Sequence, residues 1–346
     1  METAGTTMKP DLIIRTDDPL NIEGRAELLM GHETPVEHFF VRSHGAIPAV
    51  DLASWRLTID GLVQAPLTLD YDTVIALPAE TRRLVLECAG NGRRFFDPPA
   101  RGLAWGTAAI GQSRWTGTRL DGLLDRAGLA PGAAHVVFHP LGAPAAGKPP
   151  YSRSLPLGDV RARGVLLAWA MGGETLLPSH GFPLRVVVPG WTGQHWVKWI
   201  SRVEVSDAPA AGLYMDDEYL AADGSMLRGS HVKSLITSPA DGTRLRHGML
   251  SLSGVAWAGE REVAGVEVSL DGGRTWREAT LSSHGGSGAW RRWDLNVELG
   301  DDAAGEMTIA VRATDNHGET QPERSEWNPL GYLWNGYHVI RITRVR

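Results

Sequence analysis

From about Ser230 onward the chain shows no helical period, and that pattern constrains its fold more than any other feature. Short apolar runs at residues 250–254, 263–270, 307–314 and 337–343 alternate with Gly- and Asp-rich turns. Neighbouring side chains on a strand point to opposite faces, so each run carries one apolar face that must be covered. Several such strands satisfy one another by stacking as two sheets, which predicts an immunoglobulin-like sandwich. Asp271-Gly272-Gly273 supplies a tight hairpin turn between two of them.

The preceding residues read differently. Residues 1–50 are irregular, broken by Pro10, Pro19, Pro35 and Pro48. Strands are predicted at 55–61, 81–87, 135–139, 165–170 and 184–188. Residues 120–128 carry helix spacing, with Asp121 near the start and Gly128 as the cap. The expected fold is therefore a mixed α and β domain over residues 1–230 followed by an all-β sandwich over 231–346. The boundary falls near 225–235, where Asp223-Gly224-Ser225 and Gly229-Ser230 mark a linker. Two domains also suit 346 residues.

Charge narrows the function. A formal net charge of −6 argues against a general binder of nucleic acid or anionic membrane. The longest apolar runs, such as residues 165–170, are strand-sized, and no membrane span is expected. The first ten residues lack a basic, apolar or twin-arginine export signal, so a cytoplasmic location is expected, or a periplasmic one if a signal has been removed. One cysteine rules out an intramolecular disulfide and any Cys-rich zinc or iron–sulfur site.

Several familiar patterns fail on inspection. Gly142 to Lys148 imitates a phosphate-binding loop, but Pro149 stands where a hydroxyl is needed, so it reads as a flexible loop. Gly90-Asn-Gly92-Arg-Arg-Phe95 lacks the third glycine of a dinucleotide fingerprint. His32, Glu33 and His38 are wrongly spaced for a zinc-protease helix. Ser269 to Trp276 matches an Asp-box once, which supports a stable turn and nothing more.

Cys88 is the residue with chemistry around it. A lone cysteine is by default a small buried apolar group. Here it ends an apolar strand and opens onto Gly90, Asn91 and Gly92, then Arg93 and Arg94. Small residues let the backbone approach a bulky group, and nearby cations favour the thiolate. A thiolate either ligates a soft metal or attacks an electrophile. A metal would need most of its ligands from elsewhere, such as a cofactor carrying its own sulfurs.

The segment Leu-Glu-Cys88-Ala-Gly-Asn resembles the metal-ligating motif of the sulfite oxidase family of molybdopterin enzymes. The likeness runs in order along nearly the whole chain. It includes Phe39-Phe-Val-Arg42-Ser-His44, Gly102-Leu-Ala-Trp105, Arg114 to Leu120, His180 to Gly190, Val197-Lys198-Trp199, and the segments around Trp276 and Trp290. The resemblance implies that the domain over residues 1–230 is of the α+β class and that Cys88 ligates the molybdenum. It implies that Phe40, Val41, Arg42, Ser43, His44, His180, Arg185, Trp196, Val197 and Lys198 hold the pterin and its phosphate. It also places Arg42, Arg93 (or its neighbour Arg94) and Arg291 around a substrate anion, Trp105 as the pocket wall, and Tyr219 as a hydrogen-bonding phenol.

The implied activity is oxygen-atom transfer to sulfite, giving sulfate, with a molybdenum–molybdopterin cofactor. No haem or flavin motif is present, so electrons would leave to a separate acceptor, a cytochrome or dioxygen. The sandwich would form a homodimer. Two alternatives stand beside this reading: a sulfane-type dehydrogenase of the same family, and a cofactor-free binding or scaffold protein that keeps the fold.

Overall fold

The computed structural model describes residues 12–144, 146–246, 248–283, 286–300 and 304–345. The expectations resting on Pro10 and the first ten residues lie outside the described residues, as does Ala145 of the 142–148 loop. Two five-stranded sheets build the first half. One runs in the order Glu174–Thr175, Leu166–Met171, Ile110–Arg119, Ala79–Glu87, with Arg185–Val187 also pairing with Leu166–Met171. The other orders Leu67–Leu69, Leu57–Gly61, Ile200–Ser206, His135–Pro140 and Arg153–Pro156. Only Leu57–Gly61 and Ile200–Ser206 pair in parallel within it.

Residues at three- and four-residue spacing make Leu120–Ala127 a helix with one apolar face: Leu120, Leu123, Leu124 and Ala127 are all buried. Gly128 ends it with φ +69°, its amide returning to the Leu124 carbonyl at 3.0 Å. Leu166, Leu167 and Ala168 are fully buried, consistent with a strand covered on both faces. The strand Ile110–Arg119, not anticipated from the sequence, is disguised by Gly111 and Gly117. A Cβ at Gly111 would lie 2.4 Å from the Phe39 ring, and one at Gly117 would lie 2.3 Å from the Leu167 carbonyl oxygen. These glycines permit close packing and do not mark turns.

The second half is a sandwich of two sheets, Lys233–Ser238, Gly248–Trp257, Arg291–Leu299, Thr280–Leu281 facing Arg244–Leu245, His338–Arg344, Gly305–Asp315, Val263–Ser269, Arg277–Glu278. Inward residues such as Leu252, Val268, Trp293, Ile309 and Ile342 form its core. The expected hairpin at Asp271 joins Val263–Ser269 to Arg277–Glu278. The Asp271 carboxylate accepts from the Thr275 hydroxyl, and from the Thr275 and Arg274 amides, which holds it below the ordinary carboxylate range.

The two halves meet over buried polar groups. Glu87 accepts from Lys233 Nζ at 2.6 Å and from Trp257 Nε1 at 2.9 Å. Around them Leu29, Val85, Ile110, Leu235, Val255 and Trp290 form a shared apolar cluster.

Candidate active site

Strand Ala79–Glu87 delivers Cys88 to the centre of the first half. The ladder continues one residue further, since the Cys88 amide donates to the Ala109 carbonyl at 2.9 Å. The chain then turns at Gly92, which has φ +87° and lies so close to Trp334 that a Cβ would stand 2.4 Å from its ring. Only glycine fits there. Cys88 is half-buried and lines a cavity that is partly open to solvent.

Residues 40–44 form the facing wall. Ile22 and Val41 exchange backbone hydrogen bonds at 2.9 Å, and Asn21 Oδ1 accepts from the Ser43 amide at 2.9 Å and from Arg42 Nη1 at 3.2 Å. Arg42 Nη2 lies 3.2 Å from His44 Nδ1, and His44 Nε2 lies 2.7 Å from the Tyr219 hydroxyl. A guanidinium can only donate, so Nδ1 is the acceptor and the proton sits on Nε2. Burial, reinforced by Arg42 and Lys198, keeps this imidazole neutral by holding its pKa well below the ordinary value. Tyr219 itself has φ +60°, a conformation that bulky residues seldom adopt outside functional sites.

The other end is strongly cationic. Arg185 donates to the carbonyls of His180 at 2.9 Å and Trp196 at 3.2 Å, while its buried Nε has no partner. Its guanidinium lies 4.8 Å from the Trp115 ring centre. Lys198 Nζ donates to Ser43 Oγ and to the Ser179 carbonyl, both at 2.9 Å. Burial brings Arg185 down to about 9, and burial plus repulsion from Arg185 and Arg42 lowers Lys198 well below its ordinary value. His180 is pushed down to about 3 by burial and the same cations, so it is neutral. Among the described residues, no carboxylate lines the cavity. Desolvated cations without a counter-charge are costly, so the site is built for an anion.

The cavity gathers Phe40, Val41, Arg42, Ser43, His44, Cys88, His180, Arg185, Trp196, Val197, Lys198 and Tyr219. Three expected residues are elsewhere. Arg93 is turned away: the Gly92 turn leads its guanidinium to the carbonyls of Leu330 (3.1 Å), Gly331 (3.2 Å) and Leu103 (3.2 Å). Arg94 is exposed and lies over the Phe95 ring, so it does not replace Arg93. Trp105 is wholly buried behind Phe40, ring centres 6.5 Å apart, and does not wall the cavity. Arg291 lies in the sandwich, bound to the carbonyls of Ser282 and Val263, because its strand registers it opposite Ala256. The 142–148 segment, expected as a plain flexible loop, contributes Gly142, Ala143 and Pro144 to the cavity rim.

Sequence reasoning also missed Tyr151, Gln194 and Tyr214, which line the cavity, and Arg153, which stands behind it. One signal was available. Tyr151, Arg153 and Leu155 alternate along one face at the start of the strand Arg153–Pro156, and an arginine on an otherwise apolar face marks a buried charge. The flanking arginines were expected to favour the Cys88 thiolate. Burial instead pushes the thiol up, against the weaker opposing pull of Arg42 and Arg93.

The residues present fit a molybdenum–pterin group. No cluster of three or more His, Cys, Asp or Glu able to hold a metal occurs among the described residues, so a metal at Cys88 must bring other ligands with it. Arg185, with its unpartnered Nε, and Lys198 suit a phosphate.

Residues 44–214 match the family model described as the oxidoreductase molybdopterin binding domain. Residues 226–345 match the Mo-co oxidoreductase dimerisation domain. The sequence is similar to sulfite oxidase of Gallus gallus, with 36% identity across 95% of this chain and 77% of that protein. It is likewise 34% identical to sulfite oxidase of Arabidopsis thaliana, across 96% of this chain and 94% of that one. Among solved structures, the sulfane dehydrogenase SoxCD from Paracoccus pantotrophus aligns with a TM-score of 0.81 at 30% identity, covering 98% of this chain and 86% of that one.

Proposed function

This chain belongs to the sulfite oxidase family of molybdopterin oxidoreductases and takes a molybdenum cofactor, and on that premise we propose that it oxidises sulfite. The balanced reaction is sulfite plus water to sulfate, two protons and two electrons, the electrons leaving to a separate acceptor. The observation that carries this reading is the cavity in front of Cys88, lined by Arg42, Arg185 and Lys198 with no carboxylate among the described residues.

Cys88 would hold the metal through its sulfur. Arg185, Lys198, Ser43 and Ser179 would hold the cofactor's phosphate, with Trp196 and Phe40 packed beside the pterin. The bound cofactor supplies the two-electron chemistry and the oxygen-atom transfer. Arg42 and Tyr219 then hold the substrate oxyanion. His44 Nε2–H already donates to the Tyr219 oxygen, so the phenol hydrogen remains free to point at an anion. Burial pushes Tyr219 up to about 12, which keeps that hydrogen in place at neutral pH. The apolar remainder of the wall, including Leu86, Ala89 and Val197, limits water around the reacting anion.

A sulfane-type substrate is the second reading, favoured by the backbone similarity to the sulfane dehydrogenase. We further propose a homodimer formed through the second domain. Elemental and pterin analysis followed by a sulfite-dependent electron-acceptor assay tests the main reading. The expected result is about one molybdenum per chain, and reduction of ferricyanide or cytochrome c with sulfite and not with thiosulfate. Activity with thiosulfate-type compounds alone would favour the second reading. Absence of molybdenum after expression in a host that makes the pterin would oppose both.

A further inference from the structure

Arg153 is an arginine that the cofactor's phosphate does not account for. It is 1% exposed, and among the described residues no carboxylate pairs with it. Its Nη1 donates to the Tyr214 carbonyl oxygen, its Nη2 stands 3.5 Å from His195 Nδ1, and its Nε has no partner. The guanidinium carbon lies 5.6 Å from the centre of the Tyr219 ring. Tyr214 and Tyr219 line the cavity, so the charge sits one side chain behind its wall.

Among the described residues, nothing nearby neutralises it. His195 Nε2 is 2.7 Å from the Leu227 carbonyl, which makes Nε2 the donor and leaves Nδ1 to accept from Arg153. Tyr151 and Tyr219 are held protonated by burial and supply no negative charge. Arg42, joined to Tyr219 through His44, adds a second cation on the same side. A buried, unpaired guanidinium is expensive unless an anion shares its space part of the time. Arg185 and Lys198, by contrast, sit at the His180 end of the cavity.

Resting on the oxyanion reading above, we infer that Arg153 is a positioning residue that acts through its charge. It biases the Tyr219 side of the cavity toward doubly charged oxyanions over singly charged ones of the same shape. A Coulomb interaction scales with ligand charge, so removing Arg153 must weaken a dianion by the square of the factor for a monoanion. A packing role would weaken both alike.

The test compares competitive inhibition by sulfate and by perchlorate, two tetrahedral anions, on wild-type holoenzyme and on R153Q, R153M and R153K. Calorimetry on the same proteins reads the binding directly where there is no turnover. The expected loss in R153Q is roughly threefold for perchlorate and roughly tenfold for sulfate. R153K should recover most of it, with molybdenum content unchanged and kcat within about twofold. R153M reads the same ratio if R153Q does not fold. Equal losses for both anions, or no rescue by lysine, overturns the inference. Wild-type enzyme that ignores sulfite yet shows the predicted anion ratio sinks the sulfite reading alone. Sulfite turnover with an unaltered ratio in R153Q sinks this inference alone.

Discussion

Glu87 and Cys88 are adjacent in sequence, yet their surroundings follow opposite rules. Both oxygens of Glu87 are occupied: Lys233 and Asn91 donate to one at 2.6 and 2.9 Å, and Trp257 donates to the other at 2.9 Å. One residue on, the cavity holds cations with no facing carboxylate among the described residues, and the buried Nε atoms of Arg153 and Arg185 have no partner. Satisfied buried polar groups hold the two halves together. Buried indole nitrogens of Trp290 and Trp293, at the junction and in the sandwich, also lack a partner, so what marks the site is that its unpaired donors belong to cations with no carboxylate beside them.

The comparison can be broken at several points. The largest effect is expected from Cys88→Ser, which should lower sulfite-dependent turnover by roughly a thousandfold, about 4 kcal/mol, while the melting temperature hardly moves. Steady-state kinetics with a thermal melt check this, and full turnover in the variant would remove Cys88 as the ligand. At the junction, Lys233→Met leaves the Glu87 carboxylate buried without its cation and should cost about 3–5 kcal/mol in denaturant unfolding. A loss below about 1 kcal/mol would mean that the junction is not held as described.

Inside the cavity the sign should reverse. Lys198→Met removes a desolvated cation that repels Arg185 and Arg42, so the cofactor-free protein should be as stable as wild type or gain up to about 1 kcal/mol. Molybdenum and pterin content should fall sharply in the same variant, read by elemental analysis. Loss of apoprotein stability comparable to that of Lys233→Met would erase the distinction.

A last effect, spread over more than two pH units, concerns acid. Burial holds His338, in the sandwich, at about 4 in the folded state, below the ordinary 6.5. The unfolded chain therefore takes up the proton first. The contribution is intact above about pH 6.5, declines as pH falls toward about 4, and levels off below. The slope from this one group is about 1.4 kcal/mol per pH unit, and His338→Gln should remove it. His180 acts in the same direction in the empty cavity. A bound phosphate should shallow its slope and leave that of His338 untouched, which unfolding curves of apo and loaded protein at several pH values can separate.

What could be read beforehand was whatever depends on neighbours in sequence. Alternation exposed the sandwich strands, helix spacing and a capping glycine exposed Leu120–Ala127, and a strand running into Cys-Ala-Gly-Asn exposed the cysteine loop. Side-chain direction was not legible where distant segments decide it. Arg93 was placed at the substrate by resemblance, but its partners include the carbonyls of residues 330 and 331 in the other half of the chain. Arg291 was placed by resemblance, whereas pairing with Gly248–Trp257 registers it at Ala256 in the sandwich. Tyr332, stacked on Tyr219 at 5.2 Å, left no local sign of its closeness to the site.

The loop after Cys88 is moulded by residues near the carboxy terminus. The Leu333 amide donates to the Ala89 carbonyl at 2.9 Å, and the Trp334 ring fills the space over Gly92. On the ribosome, this loop therefore cannot take its final shape until those residues have emerged. The first half by itself lacks these contacts, so a chain cut short before Leu330 would keep every cavity-lining residue yet lose the bond and the ring that shape the loop beside Cys88.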